Sequence, residues 1–175
     1  ADFQIFGTDI SGPAIDKARA GIYKDGSIAN ISIERLNAFF TKADGGGYQV
    51  NKIVRERIIF AVQNLIKDPP FSNLDLISCR NLLIYFTSSL QTRVMAMFHY
   101  SLRPTGYLLL GSSESIGEKS EFFVPVDTRN KIFGRIALPV HQYADTLVEQ
   151  YYSNGTGRGL KDNQGMTLNN EDNIV

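Results

Sequence analysis

One stretch limits the possible folds more than any other. Residues 74–78 form a near-continuous apolar run, set between the Pro69-Pro70 break and a well-signalled helix. A short run without alternation predicts a parallel strand buried on both faces. Downstream, Ser88 and Gln91 have the spacing of a capping box. Leu90, Val94, Phe98 and Leu102 then recur every four residues as one apolar stripe. Pro104-Thr105-Gly106 ends that helix and turns the chain into another strand at Tyr107-Leu108-Leu109-Leu110.

The same alternation runs through the rest of the chain. Residues 3–6 read as a short strand, with Ser11 as the N-cap of a following helix, Pro13 in its first turn and Gly21 as its stop. Ser32 caps a second helix through Ile33, Leu36 and Phe40. The Asp44-Gly45-Gly46-Gly47 turn, with Tyr48, Gln49, Val50 and Ile53 beyond it, predicts a small hairpin excursion around residues 41–60. Residues 57–62 form the next strand, ending at Gln63-Asn64-Leu65, and 122–126 with 131–136 read as an antiparallel hairpin. Together these signals predict an α/β fold, a mostly parallel sheet with flanking helices and an antiparallel C-terminal hairpin, over residues 1–138. Residues 139–175 read as a linker or disordered tail, polar from 153 onward, with a short helix at 143–152.

Composition removes several function classes. The chain has 175 residues, 43% of them hydrophobic, enough for one core. Its formal net charge is zero, so no long-range field favours nucleic acid or an anionic membrane surface. No apolar run approaches the roughly 20 residues of a membrane span, so direct membrane insertion is not expected. The lone Cys79 excludes an internal disulfide and fits a reducing cytoplasm. The first residues open on a strand-like run with no initiator Met or basic leader, and the start of the gene product is expected to lie upstream.

Ligands of open α/β sheets bind at the carboxyl ends of strands. Four such ends carry polar residues: Asp9, Asn64, Arg80-Asn81, and Gly111-Ser112-Ser113-Glu114-Ser115. A carboxylate at a strand end can hold a pair of ribose hydroxyls, and an Asn side chain can match an adenine edge. On spacing alone, Asp9 reads equally as a turn cap, Asn64 as a loop residue satisfying backbone groups, and Arg80 as half of an ion pair. His99 and His141 lack a partner cluster, so no metal site is expected. Ser112 and Ser113 lack a nucleophile-elbow context, Gly45-Gly46-Gly47 lacks the lysine of a phosphate loop, and Cys79 reads as inert core.

The run "DPPFSNLDLISCRNLLIYF" ending at Phe86 closely resembles the central signature of the CheR chemoreceptor methyltransferases. Phe6-Gly7-Thr8-Asp9-Ile10, Asn64-Leu65, Phe98-His99-Tyr100 and the Gly111–Ser115 segment follow that family's order and spacing. The resemblance covers roughly residues 3–136 and looks most like the version found in proteins that fuse CheB-like, CheR-like and PAS modules. It implies a Rossmann-like sheet that binds S-adenosyl-L-methionine and releases S-adenosyl-L-homocysteine. It places Asp9 on the ribose hydroxyls, Asn64 and Leu65 beside the adenine, Arg80 and Asn81 near the methionine end, and Tyr85 near the transferred methyl. The acceptor it implies is a glutamate of a methyl-accepting chemoreceptor's cytoplasmic domain.

The resemblance also implies a glycine-rich strand–turn before Asp9 and a helical N-terminal subdomain, and neither precedes Asp9 in this sequence. The expectation is therefore an incomplete sheet, lacking the strand between those that end at Asp9 and Arg80, and weak or absent cofactor binding by residues 1–175 alone. The short loop at Gly45-Gly46-Gly47 departs from the family's receptor-tail-gripping β-subdomain. Two other readings stand beside the enzyme: a non-catalytic CheR-like interaction module, and a small-molecule methyltransferase, which leaves the match through Ser78-Cys79-Arg80-Asn81 unexplained.

Overall fold

The computed structural model describes residues 2–117 and 121–137, which fall into two compact units dividing between Phe71 and Ser72. The expected tail at 139–175 and helix at 143–152 lie outside the described residues.

In the first unit, β1 (Ile5–Asp9) pairs in parallel with β5 (Ile58–Val62), from Ile5↔Ile58 to Asp9↔Val62. The strand begins at Ile5 rather than Phe3 and runs on to Asp9, so Asp9 is a strand end in fact. The crossover helix α1 (Gly12–Ala20) packs on both strands and buries Ile15. Its ends follow from local chemistry. Ser11 Oγ accepts the Ala14 N–H at 3.4 Å, and Gly21 closes the helix in the left-handed region at φ 62°, donating to the Lys17 and Ala18 carbonyls.

Between α1 and β5 lies a three-stranded antiparallel sheet, in the order β2 (Ile22–Tyr23), β4 (Tyr48–Val50), β3 (Phe40–Lys42). Helices α2 (Asp25–Ile28) and α3 (Ile33–Phe39) separate β2 from β3, and Ser32 caps α3 as expected, accepting from Arg35 N–H. The expected hairpin is present, but the excursion also takes in β2 and ends by Val50. Ile53 belongs to α4 (Lys52–Arg55), and 58–62 to the parallel pair. Gly47 is required by its position: its φ is +80°, and a Cβ would lie 2.3 Å from the Tyr23 carbonyl oxygen.

The second unit is a four-stranded sheet, ordered β6 (Leu74–Cys79), β7 (Leu102–Leu110), β9 (Ile132–Arg135), β8 (Phe123–Asp127). The β6–β7 pair is parallel and joined by α5 (Ser88–Ser101), while β8 and β9 form the expected antiparallel hairpin. Helix α5 packs on β7, and Leu83, Val94, Phe98, Leu102, Leu108, Leu110, Phe123 and Phe133 are buried.

Three expectations need correction. Strand β6 is not buried on both faces: it is the edge of its sheet, and Leu76 is 57% exposed. The Ser88–Gln91 capping box does not form. Thr87 is the extended N-cap residue, one position earlier, and Gln91 Nε2 instead donates to the Leu83 and Phe86 carbonyls at 2.9 and 3.2 Å. Pro104-Thr105-Gly106 lies inside β7 rather than before it; the register steps from Leu74↔Leu102 to Leu76↔Tyr107, so these residues bulge out of the ladder. The strands ending at Asp9 and at Cys79 belong to different sheets, and among the described residues each has a strand partner on one side only.

Candidate functional site

Within the first unit, parallel pairing brings the carboxyl ends of β1 and β5 side by side. The Gln63 N–H donates to the Asp9 carbonyl at 3.0 Å, so the Asn64 turn begins directly beside Asp9. Asp9 is exposed, and its Oδ1 accepts the Ser11 N–H at 2.8 Å. Asp9 therefore braces the turn into α1 with one carboxylate oxygen and leaves the other, Oδ2, without a hydrogen bond among the described residues. Asn64 is more committed. Its Oδ1 accepts the Ile66 and Lys67 N–H groups at 2.9 and 3.2 Å, an Asx turn that leaves only the Nδ2 donor for a partner. Leu65 beside it is half-buried.

Within the second unit, the ends of β6 and β7 are neighbours through the Cys79↔Leu110 pair. Arg80 and Asn81 follow β6, and Gly111 follows β7. Arg80 is exposed, and among the described residues its guanidinium makes no hydrogen bond or ion pair. Asn81 sits in the left-handed region at φ 59°, which an Asn tolerates better than most residues. A short 3₁₀ turn, Leu83–Tyr85, then presents Tyr85 with 78% of its surface exposed.

One residue of the Gly111–Ser115 strand end, given no role from the sequence, ties this second group together. Glu114 is 3% exposed, yet it carries a carboxylate. Its Oε1 accepts the Leu82 and Leu83 N–H groups, each at 2.8 Å, and its Oε2 accepts the Gly111 N–H at 2.7 Å. Burial pushes this carboxyl up, but the N–H groups of Gly111, Leu83, Leu82 and Asn81 more than reverse that and hold it below the usual carboxylate range. No local pattern announces this role, because Leu82 and Leu83 lie far from Glu114 in sequence.

Two further candidates resolve as structural. His99 is fully buried, with Nε2 2.6 Å from the Ile136 carbonyl oxygen and 3.4 Å from Arg135 Nε; His141 lies outside the described residues. Cys79 is buried, and burial, followed by the charge of Glu114, pushes its thiol up to about 12. The thiolate is the reactive form, so the Cys79 peptide of the folded protein is expected to resist iodoacetamide at neutral pH and to label once unfolded. Peptide mapping by mass checks this, and rapid labelling under native conditions would refute it.

The sequence of this site matches a known family. Residues 1–132 fit the model described as CheR methyltransferase, SAM binding domain. The chain belongs to the CheR methyltransferase family. An uncharacterised 104.1 kDa protein in the hypE 3' region of Rhodobacter capsulatus is 38% identical over 130 residues, covering 74% of this chain and 14% of that one. Chemotaxis protein methyltransferase 1 of Vibrio cholerae serotype O1 is 40% identical over 114 residues, 64% of this chain and 42% of its own. The Pseudomonas aeruginosa protein of the same name is 33% identical over 125 residues, 70% of this chain and 46% of its own. The chain thus spans less than half the length of each of these relatives.

The cofactor of the CheR domain is S-adenosylmethionine, and the donor set on each unit fits parts of it. A free carboxylate oxygen at a strand end suits a ribose hydroxyl, an amide N–H donor with an apolar neighbour suits an adenine, and an unpaired guanidinium suits a carboxylate. No described helix is long and apolar enough to cross a membrane.

Proposed function

We propose that this chain carries part of a protein-glutamate O-methyltransferase, one that transfers the methyl group of S-adenosylmethionine to chemoreceptor glutamates. The observation that carries this reading is the placement of Asp9 and of Arg80-Asn81 directly at the carboxyl ends of parallel strands in a CheR-family chain. In this reading Asp9 Oδ2 accepts from the ribose hydroxyls, and Asn64 Nδ2 and Leu65 border the adenine. Arg80 and Asn81 hold the methionine end, and Tyr85 helps shape the acceptor position and exclude water.

When bound, S-adenosylmethionine supplies a methyl group on a sulfonium, a good leaving group that asks little acid–base help from the protein. A carboxylate is already nucleophilic, so the chain's residues contribute chiefly by alignment and by removing water. Two features of the proposed partner set rest on resemblance: the receptor's cytoplasmic domain as acceptor, and CheB-like or PAS modules in the same polypeptide. A cytoplasmic location is part of the same reading.

The test uses the full-length protein with receptor-containing membranes and tritiated S-adenosylmethionine. Base-labile label on the receptor is the expected result; receptor binding without label favours the interaction module, and label on a metabolite instead of the receptor sinks the proposal. A second measurement isolates Asp9. Asp9→Asn keeps an oxygen for the Ser11 N–H and replaces the free one, so calorimetry is expected to show cofactor affinity about tenfold weaker, the worth of one charge-assisted hydrogen bond. Unchanged affinity would remove Asp9 from the site.

A further inference from the structure

We propose that Glu114 is a positioning residue that holds the 80–85 loop in the shape in which Arg80, Asn81 and Tyr85 meet the cofactor. The proposal deepens the function argued above and rests on it.

Gln91 holds the Leu83 carbonyl and Leu83 is buried, but neither contact meets the Leu82 and Leu83 N–H groups. After Cys79 the loop leaves the β ladder, passes through the left-handed Asn81, and forms a single 3₁₀ turn. These steps aim the Leu82 and Leu83 N–H groups at one point, where no strand or helix carbonyl is available to them. Glu114 Oε1 fills that point, while Oε2 takes Gly111, the first residue beyond β7. One side chain therefore clamps the carboxyl ends of two parallel strands, on the edge where ligands of such sheets bind.

The chemistry argues for a specific role. Among the described residues Glu114 has no cationic partner, and its charge is met by backbone dipoles alone. A buried carboxylate without a counter-ion is costly unless several donors converge on it, as they do here. A core leucine could fill the space but would leave three amide donors unpaired. Gly111 completes the device, since a Cβ there would stand 2.6 Å from Glu114 Oε2 and 3.2 Å from the Asn81 nitrogen.

The experiment compares full-length wild type with Glu114→Ala and Glu114→Gln by amide exchange, read peptide by peptide, and by calorimetric titration of S-adenosylmethionine. Glutamine offers one oxygen and turns an N–H donor toward a donor, so it suits two of the three amides at most. Both variants are expected to exchange about tenfold faster at Leu82, Leu83 and Gly111, with β7–β9 peptides unchanged, and to bind cofactor about tenfold more weakly. Formate, which can replace the missing carboxylate in Glu114→Ala, is expected to restore both loop protection and affinity. A role in general stability predicts something else: faster exchange throughout the second unit and no rescue by formate. Either of those results, or unchanged loop exchange, overturns the proposal. If wild type itself fails to bind the cofactor, the methyltransferase reading falls and the cofactor-directed role of Glu114 falls with it. In that case the exchange and formate results still tell whether the clamp exists.

Discussion

Leu108→Ala is expected to destabilise the second unit by about 3 kcal/mol, the usual cost of removing a fully buried leucine and leaving a cavity. Leu108 is 0% exposed, pairs with Ile77 on one side and Phe133 on the other, and lies on the strand against which α5 packs. Both neighbours are held in sheet hydrogen bonding, so little collapse into the cavity is available. Domains are stable by only about 5–15 kcal/mol, which makes this a large fraction of the total. Amide exchange of the β7 and β9 peptides across a denaturant series measures it in the intact protein. The comparison is Leu76→Ala on the edge strand, expected within about 0.5 kcal/mol of wild type. Equal effects at the two positions would contradict the burial pattern.

Gly111→Ala is expected to cost about 1–3 kcal/mol, the usual penalty for forcing a methyl into an overpacked turn, and to weaken cofactor binding about as much as loss of Glu114 itself. The added methyl would meet Glu114 Oε2 at 2.6 Å and Asn81 Oδ1 at 3.0 Å. The glutamate side chain can swing, but only by leaving the amides it binds. Gly12→Ala is the control, since nothing lies within 4 Å of a Cβ there. Thermal unfolding together with a cofactor titration reads both effects. A Gly111→Ala protein as stable and as tight-binding as Gly12→Ala would show that the loop tolerates a displaced carboxylate.

Features set by a few consecutive residues were legible in the sequence. Ser11, Ser32 and Gly21 cap their helices as read, because an N-cap oxygen or a left-handed glycine acts within one turn. The parallel pairs followed from strand–helix alternation, and the terminal hairpin from the short Asp127–Asn130 turn between two strand-like runs. The capping box failed for a local reason: Thr87, Ser88 and Ser89 are near-equivalent caps, and Gln91 found better acceptors in the preceding turn. The burial of β6 failed for a non-local one, since an apolar run records what a strand can bury and not whether a neighbour is present to bury it. Asp9, Asn64 and Arg80-Asn81 do stand at strand ends, as the sequence suggested. The division of labour within Asn64 was visible only once Ile66 and Lys67 folded back on it. Glu114 was named within the Gly111–Ser115 strand end, but its role was not read because its partners Leu82 and Leu83 come from a different strand end.

The one-sided pairing of β1 and β6 has a practical consequence. Among the described residues, each has an edge whose N–H and C=O groups meet no strand, with Phe6 and Ile59 exposed in the first unit and Leu76 in the second. Such borders invite strand addition from a like molecule. A preparation of this stretch on its own is therefore a candidate for sticky, concentration-dependent assembly, and short charged flanks or a low working concentration are the sensible remedies.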